Sequence, residues 1–192
     1  MVHLDRIYTR SGDEGQTGLA DGSRVSKLDD RIVAGGSVDE TNSCLGLAAS
    51  FCESESVLDV LHSTQQQLFD LGADLSFPWP DAEGDVKIPR IGARHVEWLE
   101  RQIDAFNEDV EPLKSFVLPG GCQLAGALHV ARSVCRRAEI DVLRLSEDTQ
   151  LNPQIRIYLN RLSDLLFVLA RHSNNQGRDD VLWEPGRTLP AE

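Results

Sequence analysis

Two stretches near the C-terminal end carry apolar residues at alternating steps of four and three, and this spacing limits the fold more than any other feature. Leu124, Leu128, Ala131, Cys135, Ala138, Val142 and Leu145 follow 4-3-4-3-4-3, and Ile155, Leu159, Leu162, Leu166 and Leu169 follow 4-3-4-3. An α-helix turns once per ~3.6 residues, so these steps draw one apolar stripe along one side of each helix. A stripe of that kind has to be covered by other helices. The two segments therefore read as neighbours in an antiparallel bundle.

Three more helices are predicted upstream. The first spans Asp30 to Cys52, with Ala34, Val38, Leu45 and Ala48 on one face. The second spans Ser56 to Leu75, where Leu58, Leu61, Leu68 and Leu71 recur at helical spacing and Ser56 with Asp59 resembles a capping box. Pro78, Pro80, Gly84 and Pro89 then mark a loop, and the third helix covers Ala93 to Asn107. Asn152-Pro153 reads as an N-cap followed by proline at the first helical position, and Gly177 as a terminator. Strand signal is nearly absent after the first few residues. The expectation is an all-α protein, a five-helix up-and-down bundle with an ordered N-terminal loop segment. One domain covers 1–192, divided into an N-terminal segment 1–28, a bundle 30–175 and a C-terminal tail 176–192.

A chain of 192 residues, 41% hydrophobic and 26% charged, is large enough to bury a core without staples. No apolar run approaches the roughly 18 residues that cross a bilayer. His3, Asp5 and Arg6 precede any apolar stretch, which argues against a secretory signal and for a cytoplasmic protein with no membrane partner. Cys44, Cys52, Cys122 and Cys135 form no metal or redox spacing and read as reduced thiols, Cys135 as core. The net charge of −12 argues against a nucleic-acid surface. Its distribution says more. The segment 120–145 holds Arg132, Arg136, Arg137 and Arg144 against Glu139 and Asp141, and 152–173 holds Arg156, Arg161 and Arg171 against Asp164. Two cationic helices in an acidic protein are where an anionic ligand would go.

Four constellations could carry chemistry. Between Thr9 and Gly18, glycines at 12, 15 and 18 permit close backbone approach, with Thr9, Ser11 and Thr17 as hydroxyl donors and Arg10 and Lys27 as charges. This inventory suits a polyphosphate, yet it lacks the Walker A ending and the dinucleotide fingerprint, and it equally describes a turn-rich tail. His129, Arg132, Arg136 and Glu139 each follow a seam residue by one position and form a stripe about 100° from the core, flanked by Arg137. Clustered guanidinium forks fit phosphate oxygens, although a solvated face has the same composition. Asn160 lies on another polar stripe, suited to a nucleotide edge or to an interhelical contact. Asp39, one position past the seam residue Val38, could pair with an arginine of the fourth helix, within the chain or across a subunit boundary.

In order along the chain stand Tyr8 to Gly18 (YTRSGDEGQTG), Arg24 to Lys27 (RVSK), Val38 to Ser43 (VDETNS), Leu118 to Gly121 (LPGG), His129 to Glu139 (HVARSVCRRAE) and Leu159 to Phe167 (LNRLSDLLF). Together they resemble the PduO-type ATP:cob(I)alamin adenosyltransferases over nearly the whole chain. The resemblance implies a homotrimer with sites between subunits, acting on ATP and cobalamin, with Mg2+ on the ATP phosphates. It implies that Thr9, Arg10, Ser11, Gly12, Thr17, Gly18 and Lys27 hold those phosphates, and that Arg136, Arg137, Glu139 and Asn160 complete the nucleotide site. Asp39 would pair with Arg132 across the interface, and Phe116 would lie under the corrin and displace its lower axial ligand. A reductase and an acceptor enzyme for the product are implied as partners. The sequence departs from the family at Glu14, Gly35, Thr41 and Ile140, where lysine, tyrosine, leucine and arginine are usual.

Two other readings compete. A ferritin-like di-iron site needs Glu-x-x-His, which this chain lacks. A non-catalytic sensor or carrier of ATP or corrinoid would use the same bundle and would differ only in turnover.

Overall fold

The computed structural model describes residues 8, 10–20, 22–80 and 88–188. Five helices carry the fold: α1 (Asp30–Ala49), α2 (Glu55–Leu75), α3 (Ala93–Asn107), α4 (Gln123–Asp148) and α5 (Gln154–Ser173). A 3-10 turn, Asn175–Gly177, follows α5. Ahead of α1, β1 (Gln16–Gly18) and β2 (Arg24–Ser26) form an antiparallel hairpin, with Thr17 opposite Val25.

The seams of α4 and α5 are buried at every position named from the sequence, as are the four residues of α1. In α2 the seam runs through Val57, Val60, Leu61, Leu68 and Leu71, and Leu58 is only half-buried. The helix also starts one residue earlier than expected. Ser54, not Ser56, is its N-cap and accepts from the Val57 N–H, while the Ser56 hydroxyl sits 3.0 Å from that of Ser54. Helix α1 stops at Ala49 rather than Cys52.

The helices pack in the order α2, α1, α4, α5, α3, so α4 lies between α1 and α5. Side-chain contacts give the directions. Ser37 and Glu40 of α1 meet Asp141 and Arg137 of α4, so those helices are antiparallel. His129 and Glu139 of α4 meet Phe167 and Asn160 of α5, again antiparallel. Glu100 and Phe106 of α3 meet Arg161 and His172 of α5, so those two run parallel. The chain alternates up and down in sequence order, yet α3 has crossed to the far side of α5.

Buried polar residues fix the long connections. Asp74 accepts from the Ile91 N–H at 2.9 Å, from Asn152 Nδ2 at 2.8 Å and from Arg90 at 2.5 Å, which ties the α2–α3 loop to the start of α5. Asn152 Oδ1 also accepts from the Gln154 N–H at 3.0 Å, so it caps α5 from the position the sequence indicated. Residues 81–87, including Gly84 of the predicted loop, lie outside the described residues. After α5 the tail folds back. Arg171 binds Asp180 at 2.7 Å and the Glu111 carbonyl at 2.8 Å, with both charged side chains buried. Gly177, at φ +85°, leaves room for that guanidinium; a Cβ there would sit 2.7 Å from Arg171 Nη2. All four cysteines are free, and no helix among the described residues is long and apolar enough to cross a membrane.

Candidate functional site

Most of the arginines that made the C-terminal helices cationic are already neutralised. Arg137 pairs with Glu40, Arg144 with Asp141, Arg161 with Glu100 and Asp164, and Arg171 with Asp180. Among the described residues this leaves Arg132, Arg136 and Arg156 without an acidic partner. Arg132 and Arg136 share the stripe on α4. Arg136 is exposed, whereas Arg132 is half-buried with its Nε enclosed and unpartnered. Beside them Asn160 Nδ2 donates to Glu139 Oε1 at 3.1 Å, which aims the carboxamide at the same face. The structure therefore brings Arg132, Arg136, Glu139 and Asn160 together on the α4–α5 surface, while Arg137 turns to Glu40 on the α1 side of α4.

Asp39 is exposed on α1 and has no ion pair within the chain among the described residues. The acidic residue of α1 that reaches an α4 arginine is its neighbour Glu40, whose carboxylate holds the Arg137 guanidinium more firmly charged than usual. The same pair acts on Cys44. Burial pushes its thiol up, Glu40 adds to the rise and Arg137 opposes it. Cys135 is enclosed and its thiol is raised by burial, as is the Tyr158 phenol.

The N-terminal segment is a separate unit. Lys27 follows β2, and its backbone N–H donates to the Gly15 carbonyl at 2.8 Å. Its ammonium lies across Gly12, where an added Cβ would come within 3.1 Å of Nζ. Arg10 sits at φ 60° and is exposed. Arg24 donates to the Ser11 carbonyl at 2.7 Å and to that of Gln16 at 3.4 Å, clasping the loop over the hairpin. Gly12, Thr17, Gly18 and Lys27 are thus assembled in one place, while Thr9 lies outside the described residues. The clasp by Arg24 was not evident from sequence, because its acceptors are main-chain carbonyls that carry no residue code.

Phe116 stands on the loop before α4 and is 78% exposed. Trp183 packs beside it at 6.1 Å with a 56° tilt. Main-chain bonds from Leu118 to Val181 (2.8 Å) and from Trp183 to Phe116 (2.7 Å) join the two segments. Nothing in the spacing of residues pointed to Trp183, which lies 67 positions downstream in an irregular tail. A groove of about 390 Å3 runs along α4, lined by Pro119, Gly126, His129, Val130, Ser133, Val134 and Arg137. An unpaired cationic stripe on α4 and an exposed aromatic pair beside the loop before it can take a polyanion and a large flat apolar partner.

The sequence profile of the cobalamin adenosyltransferases matches residues 7–173. A corrinoid adenosyltransferase of Mycobacterium leprae is 47% identical over 193 residues, covering 96% of this chain and 98% of its own. Its counterpart in Bacillus subtilis is 38% identical over 184 residues, covering 93% and 92%. Among solved structures, a variant PduO-type ATP:corrinoid adenosyltransferase from Lactobacillus reuteri, complexed with cobalamin and ATP, superimposes with a TM-score of 0.85. It is 40% identical over 93% of this chain and 99% of that one.

Proposed function

The chain belongs to the cobalamin adenosyltransferase family, and from that premise we propose how its own residues divide the work. The reaction transfers the 5′-deoxyadenosyl group of ATP to cob(I)alamin, giving adenosylcobalamin and triphosphate. Cobalt(I) is itself a powerful nucleophile. The protein therefore needs no nucleophile or general base, only alignment, stabilisation of the departing charge and a dry site.

Arg136 stabilises the triphosphate as it leaves C5′, with Arg137 beside it. Asn160, oriented by Glu139, fixes the nucleotide against the α4–α5 face. The hairpin loop supplies the other phosphate donors: Thr9, Arg10, Ser11, Gly12, Thr17, Gly18 and Lys27. Magnesium enters as part of the substrate on the ATP phosphates. A cation of this kind is held largely by substrate phosphates. Phe116 packs against the lower face of the corrin and excludes its axial ligand, which makes cobalt(II) easier to reduce. The hairpin packs chiefly on itself, and Asp39 has no ion-pair partner in its own chain among the described residues. Both features support a homotrimer in which the hairpin and Asp39 of one subunit meet Arg132 and Arg136 of the next. Four free thiols and a need for ATP suit the cytoplasm, where a reductase and an acceptor for adenosylcobalamin would be its partners.

The observation that carries this assignment of roles is the α4 stripe, where Arg132 and Arg136 keep no acidic partner while neighbouring arginines are paired. The test is incubation of the protein with MgATP and chemically reduced cobalamin. A light-labile cobalt–carbon product with stoichiometric triphosphate is the expected result. Tight ATP binding without that product would mean a sensor or carrier.

A further inference from the structure

The turn Leu118-Pro119-Gly120-Gly121 links Phe116 to the start of α4, and the roles above leave it unused. The Phe116 ring is mostly exposed and Trp183 beside it is 6.1 Å away, so its place depends on the backbone that carries it. That backbone is held from two sides. The tail holds it through Leu118 and Val181, through Trp183 and Phe116, and through Ser115 Oγ, which donates to the Trp183 carbonyl at 2.7 Å. The other hold is Asn174, the residue that ends α5, which is buried. Its Oδ1 accepts from the Cys122 N–H at 3.2 Å, and Cys122 is the N-cap of α4. Its Nδ2 donates to Asp180 Oδ1 at 3.0 Å, while Asp180 Oδ2 accepts from the buried Arg171 at 2.7 Å. One carboxamide therefore joins the end of α5, the start of α4 and the tail.

The chemistry of that junction is specific. One atom at position 174 must accept from a main-chain N–H and the other must donate to a carboxylate, which a carboxamide does and a carboxylate cannot. The second glycine of the turn answers to the same group. Gly121 sits at φ +106°, and a Cβ there would lie 2.4 Å from Asn174 Oδ1. Arg132 and Arg136 stand roughly three to four turns beyond Cys122, on a helix packed between α1 and α5. Loosening the junction therefore frees the Phe116 loop sooner than it disturbs the arginine stripe.

We propose that Asn174 is a positioning residue for Phe116. By tying Cys122 to Asp180 it holds the loop against the tail and sets the ring where it excludes the axial ligand of the corrin. The inference rests on the role given to Phe116 above and adds a residue that acts through it, with no need of its own contact with substrate. Its mark is selective: losing the junction slows the reaction that starts from cobalt(II) and spares the transfer from cobalt(I).

The test uses the full chain with MgATP and cobalamin, and takes the ratio of the rate from cobalt(II) with excess reductant to the rate from pre-reduced cobalt(I). Both rates come from one preparation, so a smaller folded fraction cancels. Asn174→Asp sets a second carboxylate against Asp180 and should lower the ratio by about 10-fold, the scale on which a small misplacement acts. Electron paramagnetic resonance of bound cobalt(II) corrinoid should then show the splitting of an axial nitrogen that wild type lacks. Adding Asp180→Asn reverses donor and acceptor, keeps one carboxylate near Arg171, and should restore both the ratio and the spectrum. A wild-type ratio in Asn174→Asp would overturn the proposal, as would a fall that the paired exchange leaves in place. If Asn174→Asp does not fold, Gly121→Ala displaces the same carboxamide from the other side, and a wild-type ratio there would overturn the proposal equally. A wild-type protein that forms no cobalt–carbon product, or that retains the nitrogen splitting, would instead overturn the reading beneath the proposal.

Discussion

Single residues divide into those whose charges are spent on the fold and those left over. Arg136 belongs to the second group, because it is exposed and makes no ion pair among the described residues. Arg136→Ala should therefore lower turnover by about 10²–10³-fold, as loss of an oriented donor to a developing anion does, with an unchanged helical circular-dichroism spectrum and melting temperature. Full activity in that variant would remove it from the triphosphate site. On the proposed reading Phe116 works on the other substrate. If it excludes the axial ligand, Phe116→Ala should slow the reaction from cobalt(II) with a reductant far more than the reaction from pre-reduced cobalt(I). The two starting states, assayed side by side, separate a role in reduction from a role in transfer. The arginine stripe could be read from spacing alone, since each member follows a seam residue by one. Which arginines remain free could not. The partners Glu40, Glu100 and Asp180 lie 97, 61 and 9 positions away from Arg137, Arg161 and Arg171, and only the packing reveals them.

Whole elements were legible where the apolar period persisted for several turns. Helices α4 and α5 bury each predicted seam residue, because a sustained stripe leaves the chain one way to cover it. The hairpin was missed for the opposite reason. Its strands are three residues each, too short for an alternation to register, and their strand character comes from pairing with each other. At α2 the cap is Ser54 rather than Ser56, and its hydroxyl accepts from the Val57 N–H. The same helix offers a stabilising change at Gly72, where an added Cβ meets nothing within 4 Å. Gly72→Ala should add about 1 kcal/mol, raising the melting temperature by about 2–4 °C in a calorimetric scan. The tail works in the other direction. Asp180→Ala would strand the buried Arg171 guanidinium and should cost about 3–5 kcal/mol in a denaturant titration. It should also release the strand that holds Trp183 against Phe116, so the cobalt(II) route should weaken along with stability.

At the scale of the molecule, the chain alternates direction as an up-and-down bundle should, but α3 packs parallel to α5 and α4 becomes the middle helix. Connections long enough to allow that crossing, residues 76–92 and 108–122, leave neighbour order undetermined by sequence, whereas the short turns at 50–54 and 149–153 dictate antiparallel pairs. The placement of α4 matters for the site. One flank of its arginine stripe meets α5 through Glu139 and Asn160, beyond the other Arg137 reaches Glu40 of α1, and the hairpin packs chiefly on itself. On the proposed reading a complete site takes a neighbouring copy, which can be tested without any structure of the assembly. Asp39→Ala and Arg132→Ala each break the proposed contact at every interface of a homotrimer, so each variant alone should be nearly inactive. Co-assembled, the two chains create some interfaces that pair Asp39 from one chain with Arg132 from the other. Activity should reappear in the mixed trimers and only there. If the contact instead lies within one chain, every subunit in the mixture remains defective and no activity returns.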